Sequence, residues 1–259
     1  MTGAGLQYLL ERGVARITLD RPARLNALTT GLLTAFGKAL DHAERDGARA
    51  VLITGTGRAF CSGADLVDAA ATASESPASA IEDHYNPLAR RLEHYPVPVV
   101  VAVNGVAAGA GFSLAMLGDV VLMAESASLL AAFVHLGLAP DFGATWTITR
   151  RAGLGRALEI MMLGERIPAR QACAWGLVNR VVPDADLPAA AGAMAEQLAG
   201  GPTVALGLIR KAARAALVQD FDHVLTGEVS ALRQTAGTKD VRRAIAAFSK
   251  RERVTFSGR

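Results

Sequence analysis

VPVVVAVNGVAAGAGFSLAMLGDVVLM, residues 97–123, is the stretch from which the rest of the chain can be read. It opens on a β-branched run, Val97 to Val103, broken only by Pro98 and Ala102, which reads as a buried strand. Asn104-Gly105 and Gly109-Ala110-Gly111 follow, then Phe112 to Leu117 as a short apolar helix and Val120 to Met123 as a second strand. A strand, a glycine-rich turn and a helix start aim unpaired backbone N–H groups, here those near Ala110 and Gly111, at a point where a negative charge can sit. Gly109 and Gly111 lack a Cβ, so they allow positive φ and close approach to the backbone. A turn packed in the core with no ligand accounts for the same pattern, and the spacing alone does not choose between them.

The composition narrows the field. A chain of 259 residues with 51% hydrophobic content builds a substantial core. A formal net charge of +3 is far from the basic bias of a nucleic-acid binder. The basic residues gather at the end: Lys239 to Arg259 holds seven Lys/Arg against Asp240 and Glu252, which makes a solvated helix face or a phosphate contact. Two cysteines, Cys61 and Cys173, with no CxxC and no Cys/His cluster, indicate neither a zinc site nor a disulfide framework. The first residues lack the apolar run of a signal peptide, so a cytoplasmic location is expected by default. Glu93 to Asp119 encloses an uncharged stretch long enough to span a bilayer, but Pro96, Pro98, Asn104, Gly105, Gly109 and Gly111 break it. Buried strands and a short helix are the better reading.

Outward from the centre, Tyr8 to Leu19 reads as a hairpin about Arg12-Gly13, and Thr29-Thr30 as the cap of a helix running to Glu44. Ala50 to Thr54 is a buried strand, Arg58 to Leu66 a loop, Val67 to Ala80 a mobile loop or frayed helix, and Ile81 to His94 a helix. Ala127 to Phe133 holds a strand, and His135 to Gly143 is a loop before helices at 144–151 and 153–163. Ile167 to Ala174 fits a helix opened by Pro168, with a last strand fragment at Val181-Val182. Four helices follow from Leu187 to about Arg253. Asp65 and Asp119 read as turn residues, and no internal repeat stands out. The alternation predicts an α/β core, residues 1–195, and a helical region, 196–259.

AFCSGADL (59–66), PVVVAVNGVAAGAGFSLA (98–115), AFVHLGLAPDFGATW (132–146), ACAWGLVNRVVP (172–183) and AAFSKR (246–251) resemble, in order and spacing, the crotonase superfamily of enoyl-CoA hydratases and isomerases. The resemblance implies a ClpP-like spiral of ββα turns, a C-terminal helical trimerisation region and a homo-oligomer, a trimer or a hexamer built as a dimer of trimers. It implies a coenzyme A thioester as substrate and no further cofactor or metal. Two backbone N–H groups, matching Ala64 and Ala110, would hold the thioester oxygen as it becomes an enolate, at about 3–4 kcal/mol per donor. Ala110 stands where Gly is more usual. Contacts to coenzyme A would come from Ala23, Leu25, Ala64, Asp65, Leu66, Phe248 and Arg251, although Arg242-Arg243 replace the family's acidic-Gly pair nearby.

A hydratase of this family uses two glutamates, and those positions match Ser113 and Phe133. Loss of such an acid/base pair costs about 10²–10⁴-fold per member. One carboxylate remains, Asp141. Held against Phe142, Trp146 and an apolar pocket, it would have its pKa raised by desolvation, which suits a base acting alpha to a thioester. A helix cap near Gly143 explains the same residue equally well. The pattern around it resembles 1,2-epoxyphenylacetyl-CoA and Δ3,Δ2-enoyl-CoA isomerases, where this Asp is the acid/base; YNPLARRLEHYPVPVV (85–100) resembles that branch too. Tyr85, Ser113, Phe133 and Phe142 would line the acyl pocket, with His84 and His135 as weaker candidates. The expectation is therefore an enoyl-CoA isomerase using Asp141. A hydratase, hydrolase or lyase of the same fold stays open, as does an acyl-CoA binder without turnover. No nucleic-acid or membrane partner is expected.

Overall fold

A computed structural model describes residues 2–68 and 77–259. Of the loop expected at 67–80, residues 69–76 lie outside the described residues. Eleven strands are described, in two sheets. The larger is ordered β1-β2-β3-β4-β6-β8-β11: Thr2–Gly3, Leu6–Glu11, Val14–Leu19, Ala50–Gly55, Val99–Val103, Val120–Ala124 and Arg180–Val182. The smaller is ordered β10-β9-β7-β5: Arg166–Pro168, Ser128–Leu130, Val106–Ala108 and Ala59–Cys61. The hairpin β2–β3 is antiparallel, and β3, β4, β6, β8 and β11 run parallel.

The two sheets explain a repeat that residue identities hide. Three times the chain leaves a strand of the larger sheet, turns a corner of three or fewer residues and lays a strand in the smaller one: β4 to β5, β6 to β7, β8 to β9. Helical segments lead back each time. This is the spiral of ββα turns that the resemblance implied. The sequence reading missed β5 and β7, strands of three residues with little room for a pattern. All five residues of β6 are buried, as a parallel strand covered on both faces requires.

The corners are locked by two asparagines. Asn26, fully buried, accepts from the Arg21 amide at 2.8 Å and donates to the carbonyls of Thr56 (2.9 Å) and Ala59 (2.8 Å). Asn104 accepts from the Gly55 amide at 3.1 Å and donates to Gly57 and Ala59. A Cβ at Gly105 would lie 2.2 Å from the Arg58 carbonyl oxygen, so only glycine lets β6 turn there.

Helix α1, Thr30–Arg45, is capped by Thr29, whose hydroxyl accepts from the Leu32 amide at 3.1 Å. It buries Leu32, Phe36, Leu40 and Ala43. A π turn at Ile81–Tyr85 runs into α2, Asn86–Glu93, which buries Leu88 and Leu92. Helix α3 is Ala110–Met116, all seven residues buried. Helices α4 (Ala144–Ala152), α5 (Leu154–Leu163) and α6 (Ala169–Ala174) follow. Helix α7, Leu187–Ala199, buries Leu187, Ala191, Ala195 and Ala199, a ladder of mostly small side chains that brings it close across β3, β4, β6 and β8. The division expected at 195/196 falls inside this helix, whose last turn still belongs to the core. The helical region proper begins with α8, Thr203–Ala215, and continues with α9, Phe221–Ala236, and α10, Lys239–Lys250.

Charge docks that region to the core. Asp119, read as a turn residue, instead anchors an ion network: it accepts from Arg210 Nε at 2.7 Å, from an Arg214 nitrogen at 2.8 Å and from the Val99 amide at 2.8 Å. Arg210, 8% exposed, also donates to the carbonyls of Leu92, Glu93 and Tyr95, and Arg214 pairs with Glu93. Buried Asp240 takes the amides of Ser257 (2.7 Å) and Gly258 (2.8 Å), which fastens the end of the chain to the start of α10.

Candidate active site

The two predicted oxyanion donors sit on adjacent backbone segments. Beyond β5 the chain makes an isolated parallel bridge between Leu28 and Ala64. Leu28 donates to the Gly63 carbonyl and Asp65 donates to the Leu28 carbonyl, both at 2.8 Å. Those bonds flank Ala64, so its own N–H points away from Leu28. On the neighbouring strand, β7 ends at Ala108, Gly109 (φ 51°) follows it, and Ala110 opens α3, where its N–H has no helical partner. A Cβ on Gly63 would lie 2.8 Å from the Ala108 oxygen and 3.4 Å from the Ala110 nitrogen, so the two segments touch. The reason for Gly111 differs from the expected one. A Cβ there would fall 2.2 Å from the carbonyl oxygen of Cys61, so glycine admits a second backbone rather than a ligand.

Asp141 enters from the other side. A 3-10 turn, Ala132–Leu136, ends at Gly137 in the left-handed region, and the chain returns to Asp141. Phe142 (φ 52°) and Gly143 (φ 80°) are both left-handed. Phe142 is buried, edge-on to Tyr85 with ring centroids 5.3 Å apart, and the Tyr85 hydroxyl donates to the Leu28 carbonyl at 3.5 Å. Tyr85 thus packs on the acid loop and bonds to the residue bridged to Ala64. Ser113, fully buried on α3, donates to the main-chain carbonyl of Asp141 at 3.1 Å. Phe133 is buried with its ring 4.0 Å from the position a Cβ would take on Gly109.

The Asp141 carboxylate caps nothing. The residue preceding α4 is Gly143, without a side-chain cap, and Asp141 Oδ1 is buried with no hydrogen-bond partner. Burial alone pushes its pKa from 3.8 up to about 6. A buried polar atom left unpaired costs free energy that a structural role would recover, so the cap explanation fails here. The expected wall at Trp146 fails too. That ring is 43% exposed under the guanidinium of Arg150, on a cavity of about 420 Å³ between α4 and α8. Phe142 and Tyr85 supply the apolar surroundings instead.

The remaining candidates divide. Ser62 donates to the Leu25 carbonyl at 3.0 Å, so the exposed turn holding Ala23 and Leu25 lies beside the Ala64 loop. Leu66 is 57% exposed on that loop. Asp65 is structural: one carboxylate oxygen pairs with Arg21 at 2.9 Å, the other accepts from the amides of Val67 and Asp68, and its own amide is used by Leu28. Phe248, 85% exposed, and Arg251 lie at the end of α10 with no bond to the Ala64 loop among the described residues. Burial pushes the Cys61 thiol up to about 12, which rules it out as a thiolate nucleophile near neutral pH. His135 is exposed and His84 half-buried. Among the described residues no cluster of His, Cys, Asp and Glu is placed to hold a metal. Among the described residues no helix is long and apolar enough to cross a membrane.

The family description "Enoyl-CoA hydratase/isomerase" matches residues 10–259. The chain belongs to that family. It is 42% identical over 255 residues to the 1,2-epoxyphenylacetyl-CoA isomerase of Escherichia coli K12, covering 96% of this chain and 97% of the relative. It is 39% identical over 254 residues to a protein of Rhodobacter capsulatus named "Probable enoyl-CoA hydratase", covering 98% of each. The crystal structure of an enoyl-CoA hydratase from Bacillus anthracis superposes with a TM-score of 0.94 at 32% identity, over 98% of this chain and all of that one. The hydratase/isomerase family therefore supplies the crotonase fold and an acyl-CoA enzyme, and its relatives carry both reaction names.

In this member of the enoyl-CoA hydratase/isomerase family, sequence reasoning missed Asn26, Asn104 and the Arg210–Asp119–Arg214 network. The asparagines carried a signal: each stands next to a tight turn. The arginines carried none, since nothing local separates them from the surface basic residues around them.

Proposed function

We propose that this chain is an enoyl-CoA isomerase in which Asp141 moves the proton and the amides of Ala64 and Ala110 hold the thioester oxygen. One observation supports it above the rest: a half-buried acid whose Oδ1 is buried without a partner, with a pKa raised to about 6, and whose main chain is bonded through Ser113 to the helix that opens at Ala110. A base poised close to working pH is what proton transfer at carbon needs.

In this reading Asp141 takes a proton from C2 of a 3-enoyl-CoA. The C–H electrons enter a dienolate whose oxygen rests on the two amides. The protonated Asp141 then delivers the proton to C4, and the double bond stands between C2 and C3. The enolate shares its charge between C2 and C4, so one acid/base group serves both steps. Tyr85, Ser113, Phe133 and Phe142 form the wall of the acyl site. Coenzyme A lies along Ala23, Leu25, Ala64 and Leu66, with Phe248 and Arg251 reaching its adenine and phosphate. Arg suits that phosphate through its planar fork of donors. The chain works as a homo-oligomer, a trimer or hexamer. Phe221, Leu225, Val229 and Leu232, all exposed on α9 at three- and four-residue spacing, support this.

Turnover of 3-hexenoyl-CoA and 2-hexenoyl-CoA by the wild type and Asp141→Asn tests the proposal. Isomerisation that is lost in the variant, with kcat/KM falling below about pH 6 in the wild type, supports it. Hydration that survives in Asp141→Asn overturns it in favour of a hydratase with another water-activating pair. Binding without turnover of either substrate leaves an acyl-CoA binder.

A further inference from the structure

The Asp141 carboxylate has no hydrogen bond among the described residues, and Oδ1 is buried without one. Nothing therefore orients the acid through its own oxygens. Its direction is set by its main chain, and that main chain is held by few contacts. Phe142 and Gly143, both left-handed, fix the turn on one side. The Asp141 carbonyl accepts from the Ala144 amide at 3.0 Å, a bond inside the same turn. The donor from outside the turn is the Ser113 hydroxyl, at 3.1 Å.

We propose that Ser113 is a positioning residue for Asp141, its hydroxyl pinning the carbonyl of the acid to the same short helix whose first amide, at Ala110, faces the reacting oxygen. This rests on the reading of Asp141 as the acid/base. Ser113 has one proton and two acceptors: the Gly109 carbonyl at 3.3 Å, one turn back along its own helix, and the Asp141 carbonyl at 3.1 Å. The second is the shorter bond and joins two chain segments 28 residues apart. All of α3 is buried, so the helix is a rigid mount. Placing the oxyanion donor and the anchor of the base three residues apart on it sets the distance between the base and the enolate oxygen by covalent geometry. Such distances matter, since a misplacement of about 1 Å costs roughly 10²-fold in rate.

The surroundings simplify the test. Helix α3 carries no titratable side chain. On the π turn packed against Phe142, Tyr85 is the buried titratable group, with Glu82 and Asp83 exposed and His84 half-buried. His135 on the 3-10 turn is exposed, and α4 brings Arg150 and Arg151 only in its last turn. Burial, not a charged partner, sets the protonation of Asp141. Releasing its backbone lets the carboxylate reach water.

The measurement is the pH profile of kcat and kcat/KM on 3-hexenoyl-CoA for the wild type, Ser113→Ala, Ser113→Thr and Asp141→Asn, each with a thermal melt. Ser113→Ala is expected to lose about 10- to 100-fold in kcat with KM within about threefold. Its acid limb should move down from about 6 toward the ordinary carboxylate range, near ~4. Ser113→Thr, which keeps the hydroxyl, retains the wild-type limb. Wild-type kcat and limb in Ser113→Ala, with or without a lower melting temperature, overturn the proposal. So does a Ser113→Thr that melts like the wild type and behaves kinetically like Ser113→Ala. Asp141→Asn turning over at the wild-type rate would bring down the acid/base reading itself. An inactive Asp141→Asn beside an unaffected Ser113→Ala would bring down only the role of Ser113.

Discussion

Replacing Asp141 by Asn should make the protein more stable above neutral pH, and the gain should vanish in acid. The carboxyl has a pKa of about 6 in the fold against an ordinary value of 3.8. A raised pKa means that the folded state binds the proton more tightly, so ionisation weakens the fold. Stability contributed by the neutral acid is present below the unfolded pKa and is lost as pH rises from about 4 through about 6. A shift of roughly two units at 1.36 kcal/mol each gives a cost of about 3 kcal/mol at pH 8. Asparagine has nearly the shape of the protonated acid and cannot ionise, so it escapes that cost. At pH 5 about half the difference remains, and at pH 4 under ~1 kcal/mol.

The assay is thermal unfolding of wild type and variant at pH 8, 6, 5 and 4 at fixed protein concentration. For a chain of this size each kcal/mol corresponds to about 2–4 °C, so Asp141→Asn should melt about 6–12 °C higher at pH 8 and converge with the wild type at pH 4. An increase that does not change with pH would mean that Asn packs better for reasons unrelated to charge. No increase at pH 8 would refute the claim that this carboxylate holds a buried, unpartnered oxygen, and would remove the observation on which the functional proposal leans.

Arg210→Ala should cost about 2–4 kcal/mol, read from the urea midpoint, because it removes one of the two arginines on Asp119 and the side-chain donor to the carbonyls of Leu92, Glu93 and Tyr95, while Arg214 and the Val99 amide still hold Asp119; a loss under ~1 kcal/mol would refute this. Gly111→Ala should lower turnover by about 10²-fold or more, since its methyl would force β5 and α3 apart at the Cys61 carbonyl. Gly155→Ala is the control, with nothing within 4 Å of the new methyl, and should leave activity unchanged. Phe221→Ser combined with Leu232→Glu should reduce the mass measured by light scattering to that of a single chain; an unchanged assembly would show that the exposed stripe on α9 is not the contact.

The sequence reveals what depends on local pattern. The hairpin at Arg12-Gly13, the Thr29 cap and the buried run of β6 emerge at nearly their observed bounds because each is set by neighbours in the chain. Strands β5 and β7 do not, because three residues carry no periodicity; their place is set by Asn26, Asn104 and Gly105, each contacting chain distant in sequence. The site divides in the same way. Ala110 is visible as the start of a helix. Asp141 is visible only as one of two readings, and its unpaired oxygen, a tertiary fact, excludes the cap. Trp146 misleads, since five residues along the chain from the acid it faces a different cavity. Ser113 is visible as a small polar residue in an apolar helix, but its partner, 28 residues away, is not.

The fold tolerates the acid because the costs are concentrated and the supports are spread out. A non-glycine residue held left-handed at Phe142 costs about 1–3 kcal/mol, and the ionised acid beside it about 3 more at pH 8. Against that, burying the Phe142 ring recovers about 2–3 kcal/mol, its edge-on contact with Tyr85 about 1, and the Ser113 and Ala144 bonds about 1 each. The two sides come out nearly equal, so the loop has little net stability of its own. What it has comes from contacts that also locate the acid: Phe142 through Tyr85 to Leu28 and the Ala64 loop, Ser113 through α3 to Ala110. A substitution that loosens either contact should therefore disturb geometry before it unfolds the protein, and should be detected in kcat before it is detected in a melt.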